Sequence, residues 1–390
     1  MKRVNIEFFD VEPIENFITC LNYRMDKIFF VGFAKTMTEE KQNRAKRFLK
    51  DICGVEEVYF EPVEEDSLEQ MTGKVEDILK KEKEQGNLCY IDLTGGEELI
   101  LTAFGMVCSK YHFPIHRYKV EKNELVSFHN GSQYEIVTDG VKHNIKLKID
   151  DILALYGGCI NYRKQKSYKV NVDDEELKED IVKMWEIVRN NSTKWNVFSS
   201  ILKDCKKYKN DQNIVVIPKK TWDEVIASKS NISKGEVEKY LKELKSLKAM
   251  EWTMKKGNIV SYSFKNDNIE NCILDAGCLL EMITYYNRKS AYKNSDVRVG
   301  VQLDWDGVVH TKEKDVENEV DVMVLDQYVL RFISCKSGEV SPVALYELDT
   351  IAEELGGKYV QKELVVGTKV SQVLQKRAKQ MNITIHNACV

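Results

Sequence analysis

Asn318–Gly338 reads N-E-V-D-V-M-V-L-D-Q-Y-V-L-R-F-I-S-C-K-S-G. Two β-rich apolar runs, Glu319–Leu325 and Tyr328–Lys336, flank Asp326-Gln327, and this predicts two strands joined by a tight turn. Successive side chains of a strand alternate between its faces. Glu319, Asp321 and Met323 therefore share a face of the first strand, and Leu330, Phe332, Ser334 and Lys336 share one of the second. Pairing the strands brings Asp321 and Lys336 together at the end of an otherwise apolar hairpin. A carboxylate in such surroundings is costly unless it pairs with a cation or binds a metal. Two readings follow. One is a structural ion pair. The other is an aspartate that holds a divalent cation beside a lysine that positions water, the core of phosphodiester hydrolysis.

Upstream, Asp275–Lys289 reads as an amphipathic helix with Leu279, Leu280, Ile283 and Tyr286 on its apolar side and Glu281 within a turn of it. A helix with a glutamate, a strand with an aspartate and a strand ending in x-x-Lys resemble, in that order, the PD-(D/E)XK nuclease family. The resemblance covers about the last third of the chain. It implies Asp321 as a ligand of Mg²⁺ or Mn²⁺, with Glu281 and the Cys335 backbone carbonyl as further ligands, and Lys336 as the group that orients the attacking water. The family's last motif is usually Asp/Glu-x-Lys, whereas this chain has Ser334-Cys335-Lys336. Serine is a poor ligand for a hard cation compared with a carboxylate. The family tolerates migration of that acid to a neighbouring helix, and Pro342–Leu355 offers Glu347, which reads equally as a solvated surface charge.

The chain's 390 residues suffice for two or three domains, and 43% hydrophobic with 31% charged residues is ordinary for a globular protein. Met1–Glu7 reaches acidic residues too soon for a secretory leader, and no apolar run approaches the ~20 residues of a membrane span. The ten cysteines include no C-x-x-C pair, which speaks against a zinc ribbon or a disulfide framework. His112 and His116 have helical ligand spacing, but Pro114 lies between them, so the pair reads as a strand-entry loop. A cytoplasmic protein is expected. A net charge of -4 speaks against a surface basic throughout while leaving room for a local basic face.

Residues 1–150 alternate apolar strands (Val4–Phe9, Ile28–Gly32, Val55–Phe60, Leu88–Leu93) with helical patterns at 14–24, 37–52, 67–84 and from Glu97. This rhythm predicts a mainly parallel, Rossmann-like α/β sheet whose ligand sits outside the carboxyl ends of the strands. Three strand ends supply candidates: Asp10 and Asn16; Gly32, Phe33, Ala34, Lys35 and Thr36; and Asp92, Thr94, Gly95 and Gly96, which run into a helix. Glycines admit a ligand to the backbone and a helix N-terminus favours phosphate. Thr94-Gly95-Gly96 is also compatible with an ordinary strand-to-helix turn. Neither a Walker loop nor G-x-G-x-x-G is present. The D-x-T-G-G ending in this topology, together with F-D-V-E-P-I-E-N after the first strand, resembles the CARF (CRISPR-associated Rossmann fold) family. That resemblance implies a dimer that binds a cyclic oligoadenylate across its two-fold axis. Family members often continue T-G-G with Thr-Lys, where this chain has Glu97-Glu98.

Lys119–Val137 reads as hairpins that finish this domain, and Gly157–Asp174 as a Lys-rich linker within a middle piece spanning 151–268. There, Thr221-Trp-Asp-Glu224 and Ser233-Lys-Gly-Glu236 match the capping box and open two helices ahead of a hairpin, a winged-helix pattern. Fourteen lysines against eight acids over 201–256 leave a net charge of +6, and Lys239, Lys242 and Lys245 recur along the second helix. This face can follow a phosphate backbone or can simply be solvated. Residues 269–390 hold the nuclease-like elements.

The order CARF-like, winged-helix-like, PD-(D/E)XK-like resembles the CRISPR ancillary nucleases activated by cyclic oligoadenylate. It implies a homodimeric, metal-dependent endonuclease switched on by a ring such as cyclic tetra-adenylate and acting on DNA, single strands especially, or RNA, with no membrane partner. Ser334 keeps a second reading open: a ligand-controlled DNA-binding regulator with an inactive nuclease-like domain. The loop hydroxyls also permit a sensor that degrades its own activator.

Overall fold

Short apolar runs alternate with capped helices through the first 157 residues. A computed structural model describes residues 1–128, 134–142, 146–165, 170–309 and 317–388, so parts of the expected 119–137 hairpins and of the 157–174 linker lie outside the described residues. The chain divides into two units, Met1–Gly157 and Gly158–Val390.

In the first unit, Arg3–Phe8 (β1), Lys27–Phe33 (β2), Glu57–Val63 (β3), Leu88–Asp92 (β4) and Ile115–Lys119 (β5) pair in parallel. Glu124–Phe128 (β6) and Glu135–Ile136 (β7) add antiparallel strands, giving the order β3-β2-β1-β4-β5-β6-β7. The helices are Ile18–Asn22 (α1), Glu39–Phe48 (α2), Leu68–Glu84 (α3), Glu98–Tyr111 (α4) and Ile149–Tyr156 (α5). Thr38 and Ser67 cap α2 and α3, accepting from the backbone N–H groups of Lys41 and Gln70. β2 is buried along its whole length, as a parallel strand covered on both faces must be. Val4, Ile6 and Phe8 pack with Val31, Val75, Ile91 and Phe104 in one core.

The sheet reverses its order at β1, with β2 on one side and β4 on the other. This is the switch point outside which such sheets bind ligands. One expectation is corrected here. Gly32 and Phe33 belong to β2, paired with Pro62 and Val63, and Phe33 lies in the core rather than in a ligand loop. His116 likewise lies within β5, stacked on Tyr90 at 4.3 Å between ring centroids.

The second unit opens with Cys159–Ile160 (β8), Tyr162–Gln165 (α6), Glu175–Val188 (α7) and Ser192–Cys205 (α8). Val215–Val216 (β9), Thr221–Ala227 (α9), Lys234–Ser246 (α10), Met250–Lys255 (β10) and Asn258–Phe264 (β11) follow, with a small antiparallel sheet in the order β10-β11-β9. Ser233 and Glu236 form the expected capping box of α10, the Glu236 N–H reaching the Ser233 hydroxyl at 3.3 Å and the Ser233 N–H reaching Glu236 Oε2 at 2.8 Å. The other expected box does not form. Lys220 is the N-cap of α9, and Thr221 is already inside the helix, so its hydroxyl is one position too late to cap.

The chain continues through Asp267–Leu274 (α11), Cys278–Ala291 (α12), Asp296–Asp304 (β12), Glu317–Asp326 (β13), Val329–Lys336 (β14), Pro342–Gly356 (α13), Gln361–Val366 (β15), Gln372–Gln380 (α14) and Ile383–Asn387 (β16). The large sheet runs β16-β15-β14-β13-β12-β8, with β14, β15 and β16 parallel and the rest antiparallel. The turn of the β13–β14 hairpin falls at Gln327-Tyr328, one residue later than the sequence suggested, with Gln327 at φ 58 and Asp326 paired with Val329. β8, in the stretch read as linker, pairs with Leu303 and Asp304 of β12. One core joins the middle helices to this sheet. It runs from Trp185, Trp195, Phe198 and Tyr240 through Tyr285 to Ile333 and Cys335.

Candidate functional site

In the first unit, two loops are held rigidly at the switch point. After β1, the Asp10 N–H donates to Asn16 Oδ1 at 2.7 Å, Asn16 Nδ2 donates to the Asp10 carbonyl at 3.0 Å, and the Glu12 N–H donates to Asp10 Oδ1 at 2.9 Å. Asn16 is buried and acts as a brace. After β4, Asp92 Oδ1 accepts from the Thr94 N–H at 2.9 Å and from the Thr94 hydroxyl, whose oxygen in turn accepts the Tyr118 N–H at 2.9 Å. The loops touch at Gly95. A Cβ there would lie 3.0 Å from Glu15 Cβ and 3.2 Å from Asp10 Oδ2. Gly96, at φ +134, turns the chain into α4, whose N-cap Glu97 makes no side-chain cap. The first N–H groups of α4 thus lack a side-chain acceptor, the condition that favours an anion.

The loop after β2 stands apart. Ala34 and Lys35 are exposed, Thr36 donates to the Phe33 carbonyl at 3.0 Å, and Lys35 pairs with Glu65. That hydrogen bond, and more weakly Glu97, holds the Lys35 ammonium above its usual range. The structure therefore brings together Asp10, Asn16, Asp92, Thr94, Gly95 and Gly96, with Lys35 facing Glu97 from the side.

Beneath these loops lie two acids that the sequence reading did not join. Glu7 and Asp92 are paired neighbours on β1 and β4, and both are buried. Asn5 Nδ2 donates to Glu7 Oε2 at 2.7 Å and reaches Asp92 Oδ2 at 3.5 Å, while Glu7 Oε1 has no hydrogen-bond partner among the described residues. Burial, and then the Asp92 charge, push the Glu7 carboxyl well above the usual carboxylate range. An acid whose pKa rises on folding weakens the fold as pH climbs from its unfolded value toward its folded one, because the unfolded chain releases the proton first. Glu7→Gln is therefore expected to raise the melting temperature of the N-terminal unit at about pH 7 and to flatten its fall between about pH 5 and 7. Calorimetry at both pH values checks this; a lower midpoint at pH 7 would refute it.

In the second unit, backbone pairing of β13 with β14 stops at Val322–Ile333, while β14 stays paired with β15 through Lys336. The Asp321 carboxylate takes over there. Its Oδ2 accepts the Cys335 N–H at 2.6 Å and the Ser334 hydroxyl at 3.2 Å, and lies 3.8 Å from Lys336 Nζ. Burial raises the Asp321 pKa, opposed by Lys336 and these two donors. Ser334 thus stands where the family's acid is usual and serves Asp321 as a donor. Glu281, in the first turn of α12, is close enough to raise the Cys335 thiol together with burial and Asp321. Glu347 is exposed, on the opposite side of α13 from buried Leu345 and Leu348. Lys239, Lys242 and Lys245 are exposed on α10.

A cleft of ≈ 330 Å³ opens beside this centre, lined among others by Asp275, Glu281, Glu319, Lys164, Lys203 and Lys206. Among the described residues, no three His, Cys, Asp or Glu side chains are grouped closely enough to hold a metal by themselves. The donor chemistry nonetheless suits a hard divalent cation: the Asp321 carboxylate is half-buried, and Glu281 and Glu319 line the adjoining cleft. α8, which carries Lys203, was missed from the sequence. Its signal was Asn191 as N-cap followed by Trp195, Phe198, Leu202 and Cys205 at helical spacing.

Residues 269–388 match the family model described as Card1-like, endonuclease domain. Comparison with the curated proteins gave no match by sequence. Among solved structures, protein VC1899 from Vibrio cholerae is similar with a TM-score of 0.74 and 17% identity, over 99% of this chain and 94% of that one. Can2 from Sulfobacillus thermosulfidooxidans, solved in complex with cyclic tetra-adenylate, is similar with a TM-score of 0.66 and 16% identity, over 98% and 93% of the two chains. These likenesses establish a shared fold along nearly the whole chain.

Proposed function

We propose that this chain, with its Card1-like endonuclease domain at 269–388, is a cyclic oligoadenylate-activated, divalent-metal-dependent endonuclease of type III CRISPR defence. The carrying observation is the Asp321–Lys336 pair at the open end of the β13–β14 hairpin. When bound, Mg²⁺ or Mn²⁺ supplies Lewis-acid polarisation of the phosphate and lowers the pKa of an attacking water. Asp321 holds it, oriented by the Cys335 N–H and the Ser334 hydroxyl, with Glu281 and the Cys335 carbonyl as further donors. Lys336 orients the water and offsets charge developing on the phosphate. DNA, single strands especially, is the substrate class, with RNA as a second.

The activator in this reading is cyclic tetra-adenylate, bound by a homodimer through the loops at Asp10–Asn16 and Asp92–Gly96. Support comes from the position of both loops at the switch point and from the fold shared with Can2, whose structure contains that ring. Ring binding then selects a cutting arrangement of the dimer. The test is cleavage of single-stranded DNA, supercoiled DNA and RNA in Mn²⁺, with cyclic tetra- or hexa-adenylate or neither. Cutting is expected with one ring only and is abolished by EDTA. A ring that binds without inducing any cutting would favour a ligand-controlled DNA-binding regulator.

A further inference from the structure

Of the three lysines that sequence periodicity picked out on α10, Lys239 and Lys245 face acids and Lys242 is exposed. Lys239 Nζ lies 3.9 Å from Glu243 and Lys245 Nζ 2.9 Å from Glu251, with Lys245 also 5.1 Å from the Trp252 ring centroid. The situation at the end of α8 differs. Lys203 is exposed in its last turn, and its ammonium makes no hydrogen bond or ion pair among the described residues. Just beyond, Lys206 and Lys209 share one buried carboxylate, Glu270, at 3.0 and 2.6 Å, so two cations face a single anion. Lys203 and Lys206 line the cleft that Glu281 and Glu319 line, whereas the cleft's third lysine, Lys164, is already paired with Glu317.

α8 is a firm platform for such a contact. Its opposite face, with Trp195, Phe198, Ile201, Leu202 and Cys205, is buried in the core that reaches Ile333 and Cys335 on β14. The lysine ends are therefore fixed relative to the strand that carries Lys336. A nucleic-acid strand presents a phosphate to the carboxylates of the cleft through a cation, and its neighbouring phosphates need positive charge nearby.

We infer that the strand to be cut is held through its phosphates by Lys203 and Lys206, which line the cleft together with Glu281 and Glu319, rather than by the lysines of α10. This rests on the endonuclease reading above. Phosphate contacts position a strand without reading its bases, so cutting has little sequence preference.

The full chain is tested, activated with cyclic tetra-adenylate, on a fluorescein-labelled single-stranded DNA. Lys203→Glu and Lys206→Glu are each expected to raise KM about tenfold with kcat within about twofold. In an Asp321→Asn background, direct binding of the same DNA should lose about 0.7 from the slope of log affinity against log salt for each lysine changed. An unaltered melting transition of the Gly158–Val390 unit reports that each variant is folded. Unchanged KM and salt slope in both variants, or larger shifts from Lys239→Glu and Lys242→Glu, would overturn the assignment. Asp321→Asn cutting as fast as wild type would instead overturn the endonuclease reading itself. The binding measurement decides on the lysines even if no cutting is seen.

Discussion

Asp321→Asn is expected to lower metal-dependent cleavage by at least about a hundredfold while leaving the melting temperature equal to or above that of wild type. Asparagine keeps the size of the side chain and an oxygen that still accepts the Cys335 N–H, now 2.6 Å from Asp321 Oδ2. What it loses is the negative charge a divalent cation needs. Burial already disfavours that charge in the folded chain. Removing it relieves a desolvation cost, and Lys336, with 38% of its side chain exposed, stays solvated. Inactivity combined with undiminished stability is the signature of a residue kept for chemistry. A structural ion pair predicts the reverse: lower stability with any activity loss proportional to unfolding. Cleavage rates and calorimetry on one preparation separate the two.

Trp195→Ala should have the largest effect on stability. Trp195 is completely buried between Phe198 and Tyr240, with ring centroids 5.4 and 5.6 Å away, and so ties α8 to α10. Truncating a large aromatic in a packed core costs about 3–5 kcal/mol. For a unit of this size that lowers the melting temperature by about 6–20 °C. Because the same core continues through α12 to β14, the transition of the large sheet is expected to move with it. The transition of the Met1–Gly157 unit should stay in place. A large-sheet transition unmoved by the substitution would mean that α8 and α10 fold as a separate body.

The parallel sheet of the first unit was legible because its strands are short apolar runs alternating with helical patterns. The Asp321–Lys336 pair was legible because side-chain alternation on two adjacent strands leaves few registers to choose from. A run such as Ile28–Phe33 does not say where pairing ends, so Phe33 read as part of a loop when it is a buried strand residue. β8 has only two residues, and its partner β12 lies far along the chain, which leaves no local signal at all. The Glu7–Asp92 pair was hidden for the same reason, since it exists only once β1 and β4 lie side by side. Lysine spacing on α10 was visible, but the acids that neutralise it come partly from another element, as Glu251 does on β10.

The core shared by the middle helices and the large sheet has a consequence for how this chain can be dissected. The endonuclease family model begins at 269, yet that residue marks no seam in the packing. A fragment begun there keeps Asp321, Lys336 and Glu281 but strips α7 from α12 and removes α8 and α10 from the shared core. Leu279, Ile283 and Tyr286, all buried in the whole chain, then form part of an open apolar surface. It also loses β8 and leaves β12 as a bare sheet edge, ready to pair with another copy. Such a fragment is expected to aggregate, whereas one begun at Gly158 keeps both the core and the edge. The Asp321–Lys336 centre and its helical neighbours are thus a single piece.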